Sequence, residues 1–237
     1  MPRVLLTGSS GGVGRAARSA LEAAGWAVQP FDLAQGQDLC DPAAVLDAMR
    51  GSDAVVHAGA LAHDSAGSPT DIVATNLLGT WHVLVAAETY GLSRVVCFSS
   101  AQVFGFAEGE GTPAYLPVDD DHPVTASRPY GMSKRLAEEM CQAWTARTGI
   151  PTVVLRPVMI LNDQSLARYS PQTAELGAFV HVDDVAAATV LALSVDLHGH
   201  HRLTLCGPGP FDCALAEATL GWKAARTWIG RGLPGEP

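Results

Sequence analysis

Val4-Leu5-Leu6-Thr7-Gly8-Ser9-Ser10-Gly11-Gly12-Val13-Gly14 decides the fold of this chain, because an aliphatic run leads straight into a spaced set of glycines. Val4–Leu6 reads as a buried strand, and the stretch near 13–24 reads as the helix that follows it. Glycines at 8, 11 and 14 permit a tight turn, close approach of a pyrophosphate, and close packing of helix on strand. The helix start would then offer free N–H groups to phosphates. Three glycines alone could be a flexible turn, but here they occupy a strand–turn–helix context. The expectation is a dinucleotide loop in which Gly8, Gly11, Gly12, Val13 and Gly14 lie against the cofactor.

The next strand, Ala27–Phe31, ends at Phe31-Asp32-Leu33. A carboxylate at Asp32 can accept from both ribose hydroxyls and repels a 2′-phosphate, which favours NAD over NADP. Arg15, in the first helical turn, keeps NADP open. Further strands are expected at Ala54–His57, Val95–Ser99, Thr152–Leu155 and Arg202–Leu205. Helices are expected near 42–50, 71–90, 130–148 and 183–195, the first of them opened by the N-cap Asp41 and Pro42. Strand–helix alternation with near-continuous apolar strands predicts an α/β fold, a Rossmann-type doubly wound parallel sheet with helices on both faces. Residues 1–237 read as a single dinucleotide-binding domain. Its reduced C-terminal substrate lobe would be built from small covering elements at about 157–178 and 206–237.

Composition narrows the partners. Of the 237 residues 48% are hydrophobic and only 16% charged, which suits an extensive core. A net charge of −9 without any Lys/Arg run argues against nucleic acid or an anionic membrane as partner. The N-terminal apolar run is too short for a signal peptide or membrane span. Five scattered cysteines, with no Cys-x-x-Cys pair, read as reduced thiols in a cytoplasmic protein rather than as a zinc or disulfide framework. Asp119–His122 and His198–His201 lack metal-site spacing and read as solvated loops, so no metal is expected. His57 reads as a structural histidine near the cofactor, and Asp183 as the N-cap of the late helix.

Pro129-Tyr130-Gly131-Met132-Ser133-Lys134 begins a helix on which Tyr130 and Lys134, four residues apart, share a face. That spacing is common by chance. It gains meaning from the upstream glycine loop and from Ser99-Ser100 at the end of a strand.

With these motifs in order, the sequence resembles the extended short-chain dehydrogenase/reductase superfamily, and within it the NAD-dependent epimerase/dehydratase family. The resemblance runs from the glycine loop and Asp32 through Asp38-Leu39, Val56–Ala60, Asn76–Thr80 and Phe98–Gly105. It continues through Tyr130–Lys134, Leu155–Pro157, Phe179–Asp184 and Leu220–Trp222. It implies that Asp38 and Leu39 lie near the adenine and that Ala58, Gly59 and Ala60 border the pyrophosphate and ribose. Asn76 would support the site, Lys134 would hold the nicotinamide ribose, and Pro157 would border the nicotinamide. Ser100 would polarise the substrate oxygen, and Tyr130 would be the acid–base. The corresponding helices often pair between subunits in that superfamily, which implies a homodimer.

The chemistry is sound in its own terms. A phenol with a pKa of about 10 is a poor base at neutral pH. A neighbouring ammonium and a positive nicotinamide both favour the phenolate. The sequence also departs from the sugar-nucleotide pattern. The stretch after Leu155-Arg156-Pro157 is short, and Met159 and Gly177 replace a frequent asparagine and arginine. Ala101-Gln102 stands where dehydratases carry an acidic pair, which argues against dehydration. The compact form resembles uronate dehydrogenases. Candidate substrate contacts are Ser100, Ala101, Gln102, Met159 and Arg168, the last being equally readable as a solvated loop residue. The expected activity is NAD(P)-dependent oxidoreduction of a small hydroxylated or keto substrate, with a sugar or sugar acid in view. An epimerase and a non-catalytic dinucleotide sensor are the alternatives.

Overall fold

The computed structural model describes residues 1–106, 109–166 and 179–226. Six parallel strands form one sheet: β1 (Arg3–Thr7), β2 (Ala27–Phe31), β3 (Ala54–His57), β4 (Arg94–Phe98), β5 (Thr152–Pro157) and, sixth in this sheet, β8 (His200–Leu205). They lie side by side as β2-β1-β3-β4-β5-β8. Order reverses at β1, so a crevice opens beyond the carboxyl ends of β1 and β3, where open α/β sheets bind ligands.

Alternate strand residues feed two cores, because successive side chains point to opposite faces. Val4, Leu6, Val56, Val96 and Leu155 pack with α1 (Gly12–Ala23) and α7 (Val182–Ser194). Leu5, Val55, Val95, Cys97 and Val154 pack on the other face with α2 (Pro42–Met49), α4 (Gly79–Tyr90) and α5 (Pro129–Thr148). Both faces are covered, which is why the strands read as continuous apolar runs. Arg94, buried at the start of β4, donates to the carbonyls of Ala192, Val195 and Leu197 and so closes the C-terminal end of α7. At the outer edge, Ala27 donates its N–H to Pro2 and Phe31 accepts from Ser9, so the odd-numbered residues of β2 face inward and Pro30 faces outward.

Two expectations are corrected. The helix expected over 71–90 begins earlier, as α3 (Pro69–Val73), and passes through a π-helical turn at Ala74–Leu78 before α4. The Ser68–Asp71 capping box and Pro69 fix the earlier start. The N-cap of α7 is His181, whose Nδ1 accepts from the Asp183 N–H at 3.1 Å; Asp183 lies inside the first turn. After β5, where small covering elements are expected, lie a short parallel pair, β6 (Met159–Leu161) with β7 (Phe179–His181), and α6 (Asp163–Leu166). Near the end of the described residues come α8 (Ala214–Leu220) and Trp222, the latter buried and donating to the Asp184 carbonyl at 2.9 Å.

Candidate active site

The glycine loop is held by contacts that only glycines allow. Gly8 has φ +68°, and a Cβ on it would meet Ala58 C and Gly59 N at 2.6 Å. A Cβ on Gly14 would collide with the Gly8 carbonyl. The loop is therefore pressed against the end of β3 on one side and against its own helix on the other. Arg15 turns back onto the loop and donates to the Ser10 carbonyl. Asp32 accepts from the Ser10 N–H at 2.8 Å and from the Ala34 N–H at 2.9 Å, joining the ends of β1 and β2. A cavity of about 410 Å³ lies here, bordered by Gly8, Asp32, Asp38, Leu39, Gly59 and Ala60. Gly11 sits at the N-cap of α1, and Gly12 and Val13 open that helix. Ser9 Oγ, beside them, is buried without a hydrogen-bond partner. A cavity this size, with glycines along one wall and an unmet hydroxyl beside the loop, fits the adenosine and diphosphate of a dinucleotide.

Beneath Ala58 and Gly59, a buried chain of hydrogen bonds fixes the end of β3. Thr80 Oγ1 donates to the Asn76 carbonyl at 2.6 Å, so it accepts from His57 Nε2 at 3.0 Å. His57 Nδ1 then accepts from Thr7 Oγ1 at 2.7 Å, and Thr7 Oγ1 accepts from the Gly59 N–H at 3.1 Å. This tautomer leaves His57 neutral. Burial, and then the Lys134 ammonium, push its pKa down to about 3. A histidine with both nitrogens engaged and so weak a base is structural.

Asn76, in the π-helical turn, links two halves of the site. Its amide bonds both backbone groups of Leu61, next to Ala60, and its Nδ2 also donates to Ser133 Oγ at 3.0 Å. Ser133 in turn donates to the Tyr130 carbonyl at 2.7 Å. The extra residue in the turn is what lets an otherwise helical asparagine reach both neighbours, a use π-bulges often serve.

Tyr130 and Lys134 share the buried face of α5, at 7% and 6% exposure. Gly131 brings that helix close to the turn at Ala101–Phe104, since a Cβ there would stand 2.9 Å from the Gln102 carbonyl. Ser100 is the N-cap of this turn, its Oγ accepting from the Gln102 N–H at 3.2 Å. Lys134 Nζ donates to the Phe98 carbonyl, two residues before Ser100, at 2.7 Å. Burial lowers the Lys134 pKa to about 8, against the opposing pull of Cys97 and Glu138. The start of α5, with Tyr130 and Lys134, is thus packed against the end of β4 and the turn that Ser100 caps.

A scan against family models matches residues 4–165 to the NAD dependent epimerase/dehydratase family. The chain belongs to that family. It is 31% identical to the uronate dehydrogenase of Pseudomonas syringae pv. tomato across 65% of this chain and 58% of that enzyme. It is also 31% identical to a UDP-glucose 4-epimerase of Azospirillum brasilense, across 88% of this chain and 73% of that enzyme. Among solved structures, a short-chain dehydrogenase/reductase superfamily protein from Agrobacterium tumefaciens with bound NAD superposes with a TM-score of 0.80 at 25% identity, covering 95% of this chain and 93% of that one. The chain spans less than two thirds of the length of the uronate dehydrogenases it matches.

For this family member the remaining expected residues fall as follows. Asp38 accepts from the Cys40 N–H, and Leu39 packs on Gly59 and Gly79 beside the cavity. Pro157 ends β5 and is buried. Ala101 is buried, Gln102 is half-buried, and Met159 is 42% exposed on β6. Arg168 and Gly177 lie outside the described residues. The expectation of a solvated Asp119–His122 is corrected: Asp120 and His122 are buried, because His122 accepts from the Ala114 N–H and sits edge-on to Phe104 and Phe106. Among the described residues no three His, Cys, Asp or Glu side chains are grouped to hold a metal, and all five cysteines are free. Sequence reasoning missed Asp64, whose carboxylate accepts the Tyr130 N–H at 2.7 Å. The pair is 66 residues apart, and only the low helix-interior preference of Asp hinted at a cap.

Proposed function

We propose that this protein is an NAD(P)-dependent oxidoreductase that transfers hydride between a nicotinamide cofactor and a small hydroxylated or keto substrate, a sugar or sugar acid being the favoured class. The observation that carries it is the Lys134–Phe98 bond, which holds the Tyr130/Lys134 face of α5 against the strand end bearing Ser100. Gly8, Gly11, Gly12, Val13, Gly14, Asp32, Asp38, Leu39, Ala58, Gly59, Ala60, Asn76 and Pro157 would hold NAD, and Lys134 its nicotinamide ribose. A bound nicotinamide supplies the hydride acceptor or donor. In the oxidative direction the Tyr130 phenolate takes the substrate hydroxyl proton, as the carbon loses hydride and becomes a carbonyl. Ser100 donates to that oxygen and orients it. Lys134 lowers the cost of the phenolate by its charge.

An epimerase is the second reading, favoured by the match to 73% of a UDP-glucose 4-epimerase. A panel of free sugars, uronic acids, simple alcohols and ketones, followed by NADH absorbance, separates the readings. Net NADH on a sugar acid supports the first. Inversion of a sugar with no net NADH and a retained NAD supports the second. Tyr130→Phe that keeps wild-type turnover would sink both.

The single six-stranded sheet supports the reading of one dinucleotide-binding domain; of its expected covering elements at about 157–178 and 206–237, residues 157–166 and 206–226 are among those described. Leu77, Leu78, Trp81 and Met140 border an open apolar groove of about 600 Å³ with almost no polar lining, unsuited to a sugar. Leu78 and Trp81 are 45% and 41% exposed, which supports a homodimer through α4 and α5. Trp81→Glu should then shift the sedimentation coefficient to that of a monomer. Among the described residues no helix is long and apolar enough to cross a membrane. The five free cysteines support a cytoplasmic location, checked by fractionation.

A further inference from the structure

A buried ionic network lies behind the site, on residues that the proposed proton transfer does not use directly. Glu138, one turn beyond Lys134 on α5, is 2% exposed. Its Oε1 accepts from Ser99 Oγ at 2.5 Å and from Arg156 Nε at 2.9 Å, and its Oε2 accepts from Arg156 Nη2 at 2.6 Å. Arg156, fully buried on β5, also donates to the Asp120 carbonyl at 3.0 Å and lies 5.3 Å from the Phe104 ring centre. The Asp120 carboxylate accepts from both the N–H and the hydroxyl of Thr204 on β8, at 2.7 and 2.6 Å.

Burying a carboxylate and a guanidinium costs much of what their attraction returns, so net stability is a poor reason for this pair. Geometry is a better one. A forked Arg–carboxylate contact is satisfied in one relative orientation, whereas an apolar contact tolerates sliding. The elements oriented here are those that present the site. Ser99 precedes Ser100, Glu138 is on the same helix as Tyr130 and Lys134, Arg156 precedes Pro157, and Asp120 lies on the loop between β4 and α5.

We propose that Glu138 and Arg156 are positioning residues, which lock the Ser99–Ser100 strand end, the Tyr130/Lys134 face of α5 and the loop carrying Asp120 into one reactive arrangement. This rests on the oxidoreductase reading above. Neither residue touches substrate; each acts through Ser100, Tyr130 and the loop, and Glu138 also through its charge beside Lys134.

The test compares wild type, Ser99→Ala, Glu138→Gln and the double variant by kcat, NAD dissociation constant and amide hydrogen exchange. A misplacement on the ångström scale lowers kcat by about tenfold or more in each single variant, while NAD affinity stays within about threefold. Because Ser99 acts through Glu138, the double variant is expected to be no slower than Glu138→Gln alone, within about twofold. Exchange at 99–104 and 109–126 is expected to rise by about tenfold, with β1–β3 unchanged. Wild-type kcat in folded single variants, losses that multiply in the double, or unchanged exchange would each overturn the proposal. If Glu138→Gln fails to fold, Ser99→Ala against wild type decides on the same measurements. If the wild type turns over nothing in the panel, the oxidoreductase reading fails, and exchange in Ser99→Ala alone decides the positioning.

Discussion

Lys134 Nζ stands 2.7 Å from the Phe98 carbonyl oxygen, so one ammonium joins the middle of a sheet to the helix that carries Tyr130. The contact places a positive charge in a buried setting, and burial lowers its pKa to about 8. Lys134→Met removes both the tie and the charge. We expect kcat to fall by about a hundredfold or more at neutral pH, with partial recovery above pH 9, as an unassisted phenol of pKa about 10 begins to ionise. A pH–rate series on both proteins checks this. Loss without alkaline recovery would show that the lysine is needed for placement and not for charge.

Gly14 touches the Gly8 backbone so closely that no Cβ fits, and the neighbouring Ser9 Cα would lie only 2.9 Å from it. Backbone cannot step aside as a side chain can. Gly14→Ala is therefore expected to cost about 1–3 kcal/mol of stability and to weaken NAD binding at least about tenfold. Gly12→Ala, with nothing within 4 Å of the added carbon, should leave Tm within a degree or two or raise it slightly. Thermal melts of the two variants give the contrast, and NAD titration of Gly14→Ala against wild type reads the binding loss.

Asp32 is spoken for by two backbone N–H groups, from Ser10 and Ala34, yet it borders the cavity next to the glycine loop. Asp32→Asn keeps one of the two acceptors, turns an amide NH2 toward the other N–H, and removes the charge that repels a 2′-phosphate. The ratio of kcat/KM with NAD to that with NADP should shift toward NADP by about tenfold or more. An unchanged ratio would take cofactor choice away from this residue.

His57 carries the acid sensitivity of the β3 end. Its folded pKa of about 3 lies below the ordinary value of 6.5, so between those values the unfolded chain binds a proton that the native chain does not. Stability from neutral His57 is thus complete above pH 6.5 and is lost as the pH falls toward 3. Urea unfolding at pH 4 to 6 should show His57→Gln with a shallower pH slope than wild type, by about 1.4 kcal/mol per pH unit. Equal slopes would mean that His57 is protonated in the native state.

What was legible in the sequence is what is local. The β1–glycine loop–α1 unit depends on residues within a dozen positions of one another, and the shared face of Tyr130 and Lys134 follows from helical periodicity. The π-helical turn was not legible, because Ala74–Leu78 continues the apolar pattern of a normal helix and only the distant Leu61 and Ser133 reveal what Asn76 needs. Asp119–His122 looked hydrophilic and therefore exposed. Its burial depends on Thr204 and Arg156, 84 and 36 residues away from Asp120. The α7 cap went to His181 rather than Asp183 because its ring nitrogen reaches the Asp183 N–H.

Pro30 sets how this sheet can meet another chain. It lies on the outermost strand, turned away from β1, and brings no N–H to the side that faces solvent. An incoming strand aligned there would find a gap in the row of donors and a ring in its path. Templated β-growth, the route by which open sheets seed fibrils, is therefore blunted at this margin.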